Sequence, residues 1–393
     1  MAPRWVVASG VGLVQLLAFG TSLYLLTVLA QPIRADTGWP LEWIVGGMSA
    51  GSLAGAAIAP RIGRWIKRSG GQPALTLSSF LFAAGLAILA VSPNLPVYFA
   101  GWVVIGLGMA CGLYDTAFGA LGRLYGLDAR RAITTVTLWG GFASTVFWSL
   151  SGVLVTLVGW RWTCAAYAGL HLVVALPIYR LLLPAAEPHV ETPGEAAAPP
   201  PGLSRIERTA MMTLGLVLMA ETFAASIVSV HLVSLLRERG LAMAGAIAIG
   251  AFIGPTQVSA RFGESMFGAR IHPSLTMIIA VTAITVGVAL TPILPLGFVA
   301  AALMTYGAGI GLVSVARGSL PLYLFGPLEA PVVSGRLGRP IAVTSALAPS
   351  IGALLITRLG GTATLAIVAA VAAGSVVAAL FLRRLAGQMG KLG

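Results

Sequence analysis

The feature that most constrains this chain is a series of long apolar stretches with few or no charged residues. A helix needs about 20 apolar residues to cross roughly 30 Å of hydrocarbon. Only 9% of the residues are charged, whereas soluble domains carry about 25%. The pattern therefore predicts an all-α polytopic membrane protein with twelve transmembrane helices. The predicted spans are 5–30, 41–60, 73–92, 96–120, 132–158, 163–183, 209–235, 241–260, 273–294, 296–316, 335–357 and 361–382.

The apolar stretches form two groups of six, separated by a segment rich in proline and glutamate. A segment of this composition buries too little apolar surface to fold. We therefore predict an N-terminal six-helix bundle at 1–183, a cytoplasmic linker at 184–204 and a C-terminal six-helix bundle at 205–393.

The positions of the basic residues predict the orientation, because Lys and Arg collect in cytoplasmic loops. If the N-terminus is inside and the spans alternate, most of the 24 Lys and Arg residues fall on the inner side. The exceptions are Arg34, Arg161, Arg237, Arg239 and Arg358. This distribution predicts a multi-pass protein of a bacterial cytoplasmic (inner) membrane, with both termini in the cytoplasm.

The two halves also repeat in sequence. The tripeptide Arg61-Ile-Gly63 recurs 200 positions later as Arg261-Phe-Gly263, and Leu124-Tyr125-Gly126 recurs as Leu324-Phe325-Gly326. An even number of spans in each half places the two copies in the same orientation. The repeats therefore predict two parallel six-helix units.

The basic run after the second span resembles the loop signature of the major facilitator superfamily. That signature has Arg or Lys, any residue, Gly and Arg, which here are Arg61-Ile-Gly63-Arg64, although Pro60 stands where the family has an acid. The run from Ile33 to Trp39 resembles the monocarboxylate and oxalate–formate branch. The resemblance implies the major facilitator fold, a small-molecule substrate bound between the halves, and alternating access.

Residue patterns typical of enzymes are missing from the sequence. Neither Lys67 nor Lys391 lies in a phosphate-binding loop, so ATP hydrolysis is not expected as the energy source. The two cysteines lie in apolar stretches without metal-ligand spacing. We therefore expect no catalytic activity, no cofactor and no metal. Since the basic residues follow the membrane topology, we expect no nucleic-acid partner. We expect a monomer in the lipid bilayer.

Apart from Glu42 in the first turn of the second span, two acidic residues lie inside predicted spans, where a charge is costly and is functional by default. Glu221 is in the middle of the seventh span, and the 200-residue repeat shift makes Thr21, next to Ser22, its equivalent position in the first half. We predict that these residues and His171 serve proton coupling or substrate binding. A purely structural, protonated Glu221 is the alternative.

Asp115, near the inner end of the fourth span, is the second such acid. It is predicted to pair with Arg61 or Arg64 and to hold a cytoplasmic gate, with Arg261 as the equivalent basic residue of the second half. A structural role is equally open. Three aromatic residues are predicted to line the cavity or to belong to the core: Tyr114, Trp139 and Trp148.

These observations predict a secondary active transporter of a small organic solute, coupled to protons. No basic residue lies at mid-depth of a predicted span, which favours a neutral or cationic substrate. The alternatives are a drug or metabolite efflux antiporter, an uncoupled facilitator or channel, and a receptor or scaffold that transports nothing.

Overall fold

A computed structural model describes residues 3–184, 203–268 and 271–391 of the chain. Within these ranges the chain is helical, with turns and no strand. The first part contains α1 Arg4–Gly20, α2 Leu25–Thr37, α3 Leu41–Ser69, α4 Gln72–Val91, α5 Leu95–Gly112, α6 Tyr114–Tyr125, α7 Ala129–Gly141, α8 Ala143–Leu170, a π-helical turn His171–Ala175 and α9 Leu176–Leu182. The second part contains α10 Arg205–Glu238, α11 Met243–Gly250, α12 Ile253–Phe267, α13 Pro273–Leu290 and α14 Val299–Gln388.

Eight helical runs in the described residues are long and apolar enough to cross a membrane. Two of them, Leu95–Leu182 and Leu296–Gln388, have 88 and 93 residues. Because one crossing takes about 20 residues, each of these runs is long enough for several crossings. In α14 the chain bends at Gly326 and Gly360, where φ is 77° and 81°. Glycine adopts this left-handed conformation without a steric penalty.

The chain divides into two compact units. The first unit is Met1–Val190 with Gly326–Arg339, and the second is Glu191–Phe325 with Pro340–Gly393. The predicted linker 184–204 lies almost entirely outside the described residues, so the predicted division into bundle, linker and bundle stays a prediction.

The core of each unit consists of apolar side chains from several helices. In the first unit the largest fully buried side chains include Phe82, Tyr98, Trp102, Tyr167 and Tyr179. In the second unit a continuous apolar cluster joins α10, α13 and α14 through residues such as Ile227, Ile284, Leu303, Tyr306 and Val368. Each unit therefore has its own core.

Several stretches that were predicted as single spans are interrupted. The first is broken between Gly20 and Leu25, where the hydroxyls of Thr21 and Ser22 donate to the carbonyls of Leu17 and Ala18. Such hydrogen bonds to the preceding turn bend helices. The fourth and eighth spans are also broken, at Leu113 and at Ala251–Phe252.

The second predicted span ends later than expected. Its helix α3 passes through Pro60 and ends only at Ser69, where Gly70 with φ 73° caps it. Arg61 and Arg64 therefore lie on the last turns of a helix and not in a loop. Apolar periodicity alone could not reveal this, because the continuation is amphipathic and basic.

Glycines allow close approach of helices in both units. In the first unit a Cβ atom on Gly106 of α5 would clash with the backbone of Gly51 on α3. In the second unit a Cβ on Gly311 would clash with the backbone of Gln257 on α12. Small residues at such contacts are typical of membrane helices, whose association depends on close packing.

Candidate functional site

Glu221 lies in the middle of α10 and is buried, with 2% of its surface exposed. The helix begins with a capping box, in which Ser204 Oγ accepts from Glu207 N–H and the Glu207 carboxylate accepts from Ser204 N–H. These bonds fix the start of the helix. At 1.5 Å per residue, Glu221 lies about 24 Å along the axis from Arg205, close to half the length of the helix.

The partner of Glu221 is Ser375 on α14. Ser375 Oγ lies 2.6 Å from Glu221 Oε1 and 2.6 Å from the carbonyl oxygen of Ala372. A hydroxyl group has one proton to donate. If Glu221 is protonated and donates to Ser375, which then donates to Ala372, each short contact is a separate two-centre hydrogen bond; with a carboxylate, the single Ser375 proton is shared between two oxygens. The geometry thus accommodates a neutral carboxyl group better than a carboxylate.

The surroundings of Glu221 offer no counter-charge. Its Oε2 atom is buried and has no hydrogen-bond partner among the described residues, and it forms no ion pair with any of them. Ala224, Tyr306 and Ala372 belong to the apolar core cluster of the second unit. Because an isolated buried carboxylate is very costly, this site favours the protonated group.

In the first unit, Thr21 and His171 form a second buried polar pair. Thr21 Oγ1 lies 2.8 Å from His171 Nε2 and 2.9 Å from the carbonyl oxygen of Leu17. The His171 ring is fully buried and stacks on Phe82, with centroids 4.7 Å apart. Its Nδ1 atom has no partner in the described part of the chain. In either tautomer, the Nδ1 nitrogen is therefore left without a hydrogen-bond partner among the described residues.

The backbone at His171 is also unusual. His171 begins a π-helical turn that ends at Ala175, and such turns are frequent at functional sites. Sequence reasoning selected Thr21, Ser22, His171 and Glu221, and the structure brings Thr21 and His171 together. Ser22 donates to Ala18 O on its own helix, and Glu221 belongs to the second unit.

Sequence reasoning missed Ser375, although the internal repeat could have pointed to it. Thr21 and Glu221 are 200 positions apart, and their partners His171 and Ser375 are 204 positions apart. The difference is about one helical turn. The two polar pairs therefore occupy related places in the two halves of the sequence.

On the predicted cytoplasmic side, Lys67 forms an ion pair with Glu329. Its ammonium group contacts the carboxylate of Glu329, and both residues belong to the first unit. In the same unit, Arg339 Nη2 donates to the carbonyl of Ala57 at 2.6 Å. A Cβ on Gly63 would clash with the backbone of Pro331. The segment 326–339 is thus packed tightly on the inner end of α3.

The residues predicted to form the cytoplasmic gate are not part of the Lys67–Glu329 pair. Arg61 and Arg64 are exposed, and Asp115 lies in the first turn of α6, directly after the break at Leu113. The pairing of Asp115 with either arginine stays a prediction. Arg261 is buried, and it donates from Nε to Ser314 Oγ at 2.9 Å.

The three candidate aromatic residues are partly exposed and belong to the first unit. Tyr114 contacts the rings of Phe118 and Phe19 at 4.9 and 4.5 Å, and Trp148 meets Tyr24 edge-on at 6.0 Å. Trp139 is 37% exposed and Trp148 is 46% exposed. They are therefore not core residues of the first unit, and a cavity-lining role stays a prediction.

At the predicted outer end of the first unit, an acid and a base are paired. Asp36 Oδ2 accepts from Trp160 Nε1 at 3.0 Å and lies 3.4 Å from Arg161 Nη2. The Arg161 guanidinium lies 4.2 Å from the centre of the Trp160 ring. Within the described ranges, no group of three or more His, Cys, Asp or Glu residues could hold a metal ion.

These helices and polar pairs define a polytopic α-helical membrane protein with buried ionisable groups inside its spans. The family model for the Major Facilitator Superfamily matches residues 11–338. The chain belongs to this superfamily, whose members are transporters. No curated protein sequence matches the chain significantly.

Solved structures of the superfamily are similar over nearly the whole chain. The human organic anion transporter MFSD10 is 18% identical, with a TM-score of 0.73 over 96% of this chain and 100% of its own. FucP in the outward conformation is 15% identical, with a TM-score of 0.72, and the match covers 97% of this chain and 99% of FucP. The proton:xylose symporter XylE is 12% identical, with a TM-score of 0.71, and the match covers 97% of this chain and 94% of XylE. At these identities the likeness concerns the fold alone.

Proposed function

We propose that this chain is a proton-coupled secondary active transporter that moves a small neutral or cationic organic solute by alternating access. Glu221 is its proton-loading residue. The observation that carries the proposal is the buried hydrogen-bond chain from Glu221 through Ser375 to Ala372 O. It holds a carboxyl group without a counter-charge inside a membrane span. A group that is neutral when loaded and charged when unloaded can couple proton movement to a conformational change.

The charge of the loaded state favours Glu221 over His171. A proton on Glu221 removes a buried charge, whereas a proton on His171 creates one. The helices that pack on the π-helical turn of His171, α1, α4, α8 and α9, contain no Asp or Glu. Their only charged residues are basic: Arg4, Arg161 and Arg180. His171 is therefore assigned a neutral, hydrogen-bonding role with Thr21.

The surroundings of the Glu221 side chain favour proton coupling over direct substrate contact. Its hydrogen-bond partner lies on α14 of the same unit, and its neighbours on the chain and on α14 belong to that unit's apolar core. A substrate ligand would need an accessible carboxylate. Glu221 is better suited to respond to substrate binding through movement of α10 and α14.

The proposal includes twelve crossings of a bacterial inner membrane, with both termini in the cytoplasm. The length of the two longest helical runs and the bends at Gly159, Gly326 and Gly360, all at positive φ, support this count. The basic inner end of α3 supports the orientation.

Alternating access requires contacts on the cytoplasmic side that form and break. The Lys67–Glu329 pair is the candidate, because both side chains are partly exposed and can separate into water. Its position at the end of α3, beside the closely packed Gly63, links the charge pair to the helix that carries the family signature.

The substrate class follows from charge. Arg180 and Arg339 lie near the inner ends of their predicted spans and Arg317 directly follows one, so an anion would find no mid-span cation. FucP is named a fucose:proton symporter and XylE a proton:xylose symporter, which agrees with a neutral solute. MFSD10 is named for organic anions, and our proposal differs from it on this point.

The proposal is tested in proteoliposomes with an imposed pH gradient and a panel of neutral, cationic and anionic solutes. We expect accumulation of a neutral or cationic solute that collapses with a protonophore. Glu221→Gln should abolish accumulation while exchange at equal pH continues. Asp128→Asn, a change of an exposed acid, is the matched control.

Other results of this experiment identify the alternatives. Accumulation by Glu221→Gln at the wild-type rate would refute the coupling role. Downhill movement that no gradient alters would identify an uncoupled facilitator. Extrusion driven by an inward proton gradient would identify an efflux antiporter.

A further inference from the structure

A cavity of about 280 Å³ lies in the second unit between the C-terminal end of α10 and the bend at Gly360 in α14. One part of its wall is apolar and the other is charged. The apolar part consists of Leu235, Leu359 and Leu365, and the charged part consists of Glu238 and Arg239. In the proposed topology this cavity opens at the outer face of the membrane.

Glu238 is held in place by the backbone of α14. Its Oε2 atom accepts from Gly361 N–H at 2.8 Å. A side chain at Gly361 would clash with the carboxylate, and Gly360 has φ 81°. The two glycines thus let the chain turn closely around Glu238. The second oxygen, Oε1, has no protein partner in the described part of the chain and is available to a ligand.

Arg239 is held by carbonyl groups on another loop. Its Nη1 and Nη2 atoms donate to the carbonyl oxygens of Thr291 and Leu294. A guanidinium group has five N–H donors, so further donors remain for a ligand. The two charged groups of the cavity are therefore fixed in position, with opposite signs and free hydrogen-bonding capacity.

Of the five arginines on the predicted outer side, Arg239 lines the cavity and two others are sequence neighbours of lining residues. Arg237 and Arg358 flank the lining residues Glu238 and Leu359 in sequence, are exposed, and form no ion pair with a described residue. Arg161, by contrast, is paired with Asp36. Because basic residues are generally depleted from outer loops, a group of arginines beside one cavity indicates that an anionic group binds there.

We propose that the cavity binds the headgroup of an aminophospholipid of the outer leaflet. Arginine binds phosphate oxygens through charge-assisted hydrogen bonds, and Arg239 and Arg358 would hold the phosphate. Glu238 Oε1 would accept from the primary amine. The leucines would contact the glycerol and the first acyl carbons. The negative charge of Glu238 disfavours a purely anionic headgroup such as that of phosphatidylglycerol. The quaternary ammonium group of phosphatidylcholine has no N–H to donate to Glu238, so it is disfavoured as well.

The binding test uses purified protein in detergent and short-chain phosphatidylethanolamine, phosphatidylglycerol and phosphatidylcholine. Thermal stability is measured against lipid concentration. We expect phosphatidylethanolamine to raise the Tm at the lowest concentration. Arg358→Ala should lower the affinity for phosphatidylethanolamine and for phosphatidylglycerol about tenfold, which is the effect of losing one charge-assisted hydrogen bond. Glu238→Gln should remove the preference for phosphatidylethanolamine over phosphatidylglycerol.

Two further variants keep the test decisive if Glu238→Gln fails to fold. Thr362→Trp fills the cavity from an exposed lining residue and keeps the bonds of Glu238 and Arg239, and it should abolish the lipid effect. Arg34→Ala, at an outer arginine of the first unit, should bind as the wild type does.

Three results would overturn the proposal. These are an equal Tm rise with all three lipids, wild-type binding by Thr362→Trp, and an equal Tm rise with free phosphoethanolamine, which would identify a soluble zwitterion as the ligand. The inference uses the proposed topology but no transport measurement. A negative result here leaves the coupling role of Glu221 intact, and a negative coupling result leaves the lipid site intact.

Discussion

Ser375 Oγ lies 2.6 Å from Glu221 Oε1 and equally close to the carbonyl oxygen of Ala372. One hydroxyl proton serves both oxygens only as a weaker, shared hydrogen bond, so two full hydrogen bonds form when Glu221 carries a proton and donates it to Ser375. The same pair joins α10 to α14 within the second unit. Protonation of Glu221 therefore affects the packing of two helices as well as a local charge.

The first prediction concerns this pair. Ser375→Ala leaves Glu221 buried without its hydrogen-bond partner, and an unsatisfied buried polar group costs about 1–3 kcal/mol. We expect a lower Tm and a shifted carboxyl C=O band in the infrared spectrum. The band is assigned by its loss in Glu221→Gln. A wild-type spectrum with a carboxylate signal alone at neutral pH would contradict the protonated arrangement.

The second prediction concerns His171. Replacement by Asn keeps a polar group near Thr21 but removes the ring that stacks on Phe82. We expect His171→Asn to lower the Tm and to keep proton-driven accumulation with an unchanged pH profile, because His171 stays neutral. If the pH profile moves and the Tm does not, His171 takes part in proton transfer.

The third prediction concerns the contact between α3 and α5. Gly106→Ala places a Cβ against the backbone of Gly51, which cannot move as a side chain does. Overpacking of this kind costs about 1–3 kcal/mol. The matched control is Gly152→Ala in α8, where a Cβ meets nothing within 4 Å. The control should be neutral or slightly more stable, since Ala favours a helix over Gly by about 0.5–1 kcal/mol. Equal Tm values for both variants would contradict the packing account.

Much of the fold was predictable because lipid imposes a simple rule on sequence. Long apolar stretches must form helices when the backbone finds no water to bond, and this identified a helical membrane protein; the family was recognised from the basic motif Arg61-Ile-Gly63-Arg64. The breaks at Thr21–Tyr24 and Leu113 were not predictable from apolar periodicity. They depend on hydroxyl-to-backbone bonds and on an extended residue, neither of which changes hydrophobicity.

The candidate site was predictable only in part. Glu221 stood out because a carboxyl group in a span is rare. Ser375 did not, since serine is common in such helices and its role depends on which turn of α14 faces α10. The pair Lys67–Glu329 was missed for a related reason: the residues are 262 positions apart, and only the tertiary packing of 326–339 on the first unit brings them together.

The fourth prediction tests the orientation with single cysteines. Leu127 is exposed in the turn between α6 and α7, and Pro93 is exposed in the turn before α5. In intact cells an impermeant thiol reagent should label Pro93→Cys and spare Leu127→Cys until the cells are permeabilised. The native Cys111 and Cys164 are buried, so the background should be low. The reverse pattern would invert the proposed topology.

The last prediction concerns the Lys67–Glu329 pair, which we measure with a double-mutant cycle. Both side chains are partly exposed, and pairs of this kind are worth about 0.2–1 kcal/mol. We expect Lys67→Ala and Glu329→Ala to lower stability by amounts that do not add in the double variant, with the coupling reduced at high salt by screening. The charge-reversed double variant should recover part of the loss. The matched control is the pair Arg4–Asp128, 3.5 Å apart and largely exposed, for which we expect almost no coupling. If the two cycles give the same coupling energy, the Lys67–Glu329 contact is an ordinary surface pair and another contact must hold 326–339 on α3. If only the Lys67–Glu329 cycle shows coupling, and its single variants also change the rate of solute exchange, the pair stabilises one access state of the transporter.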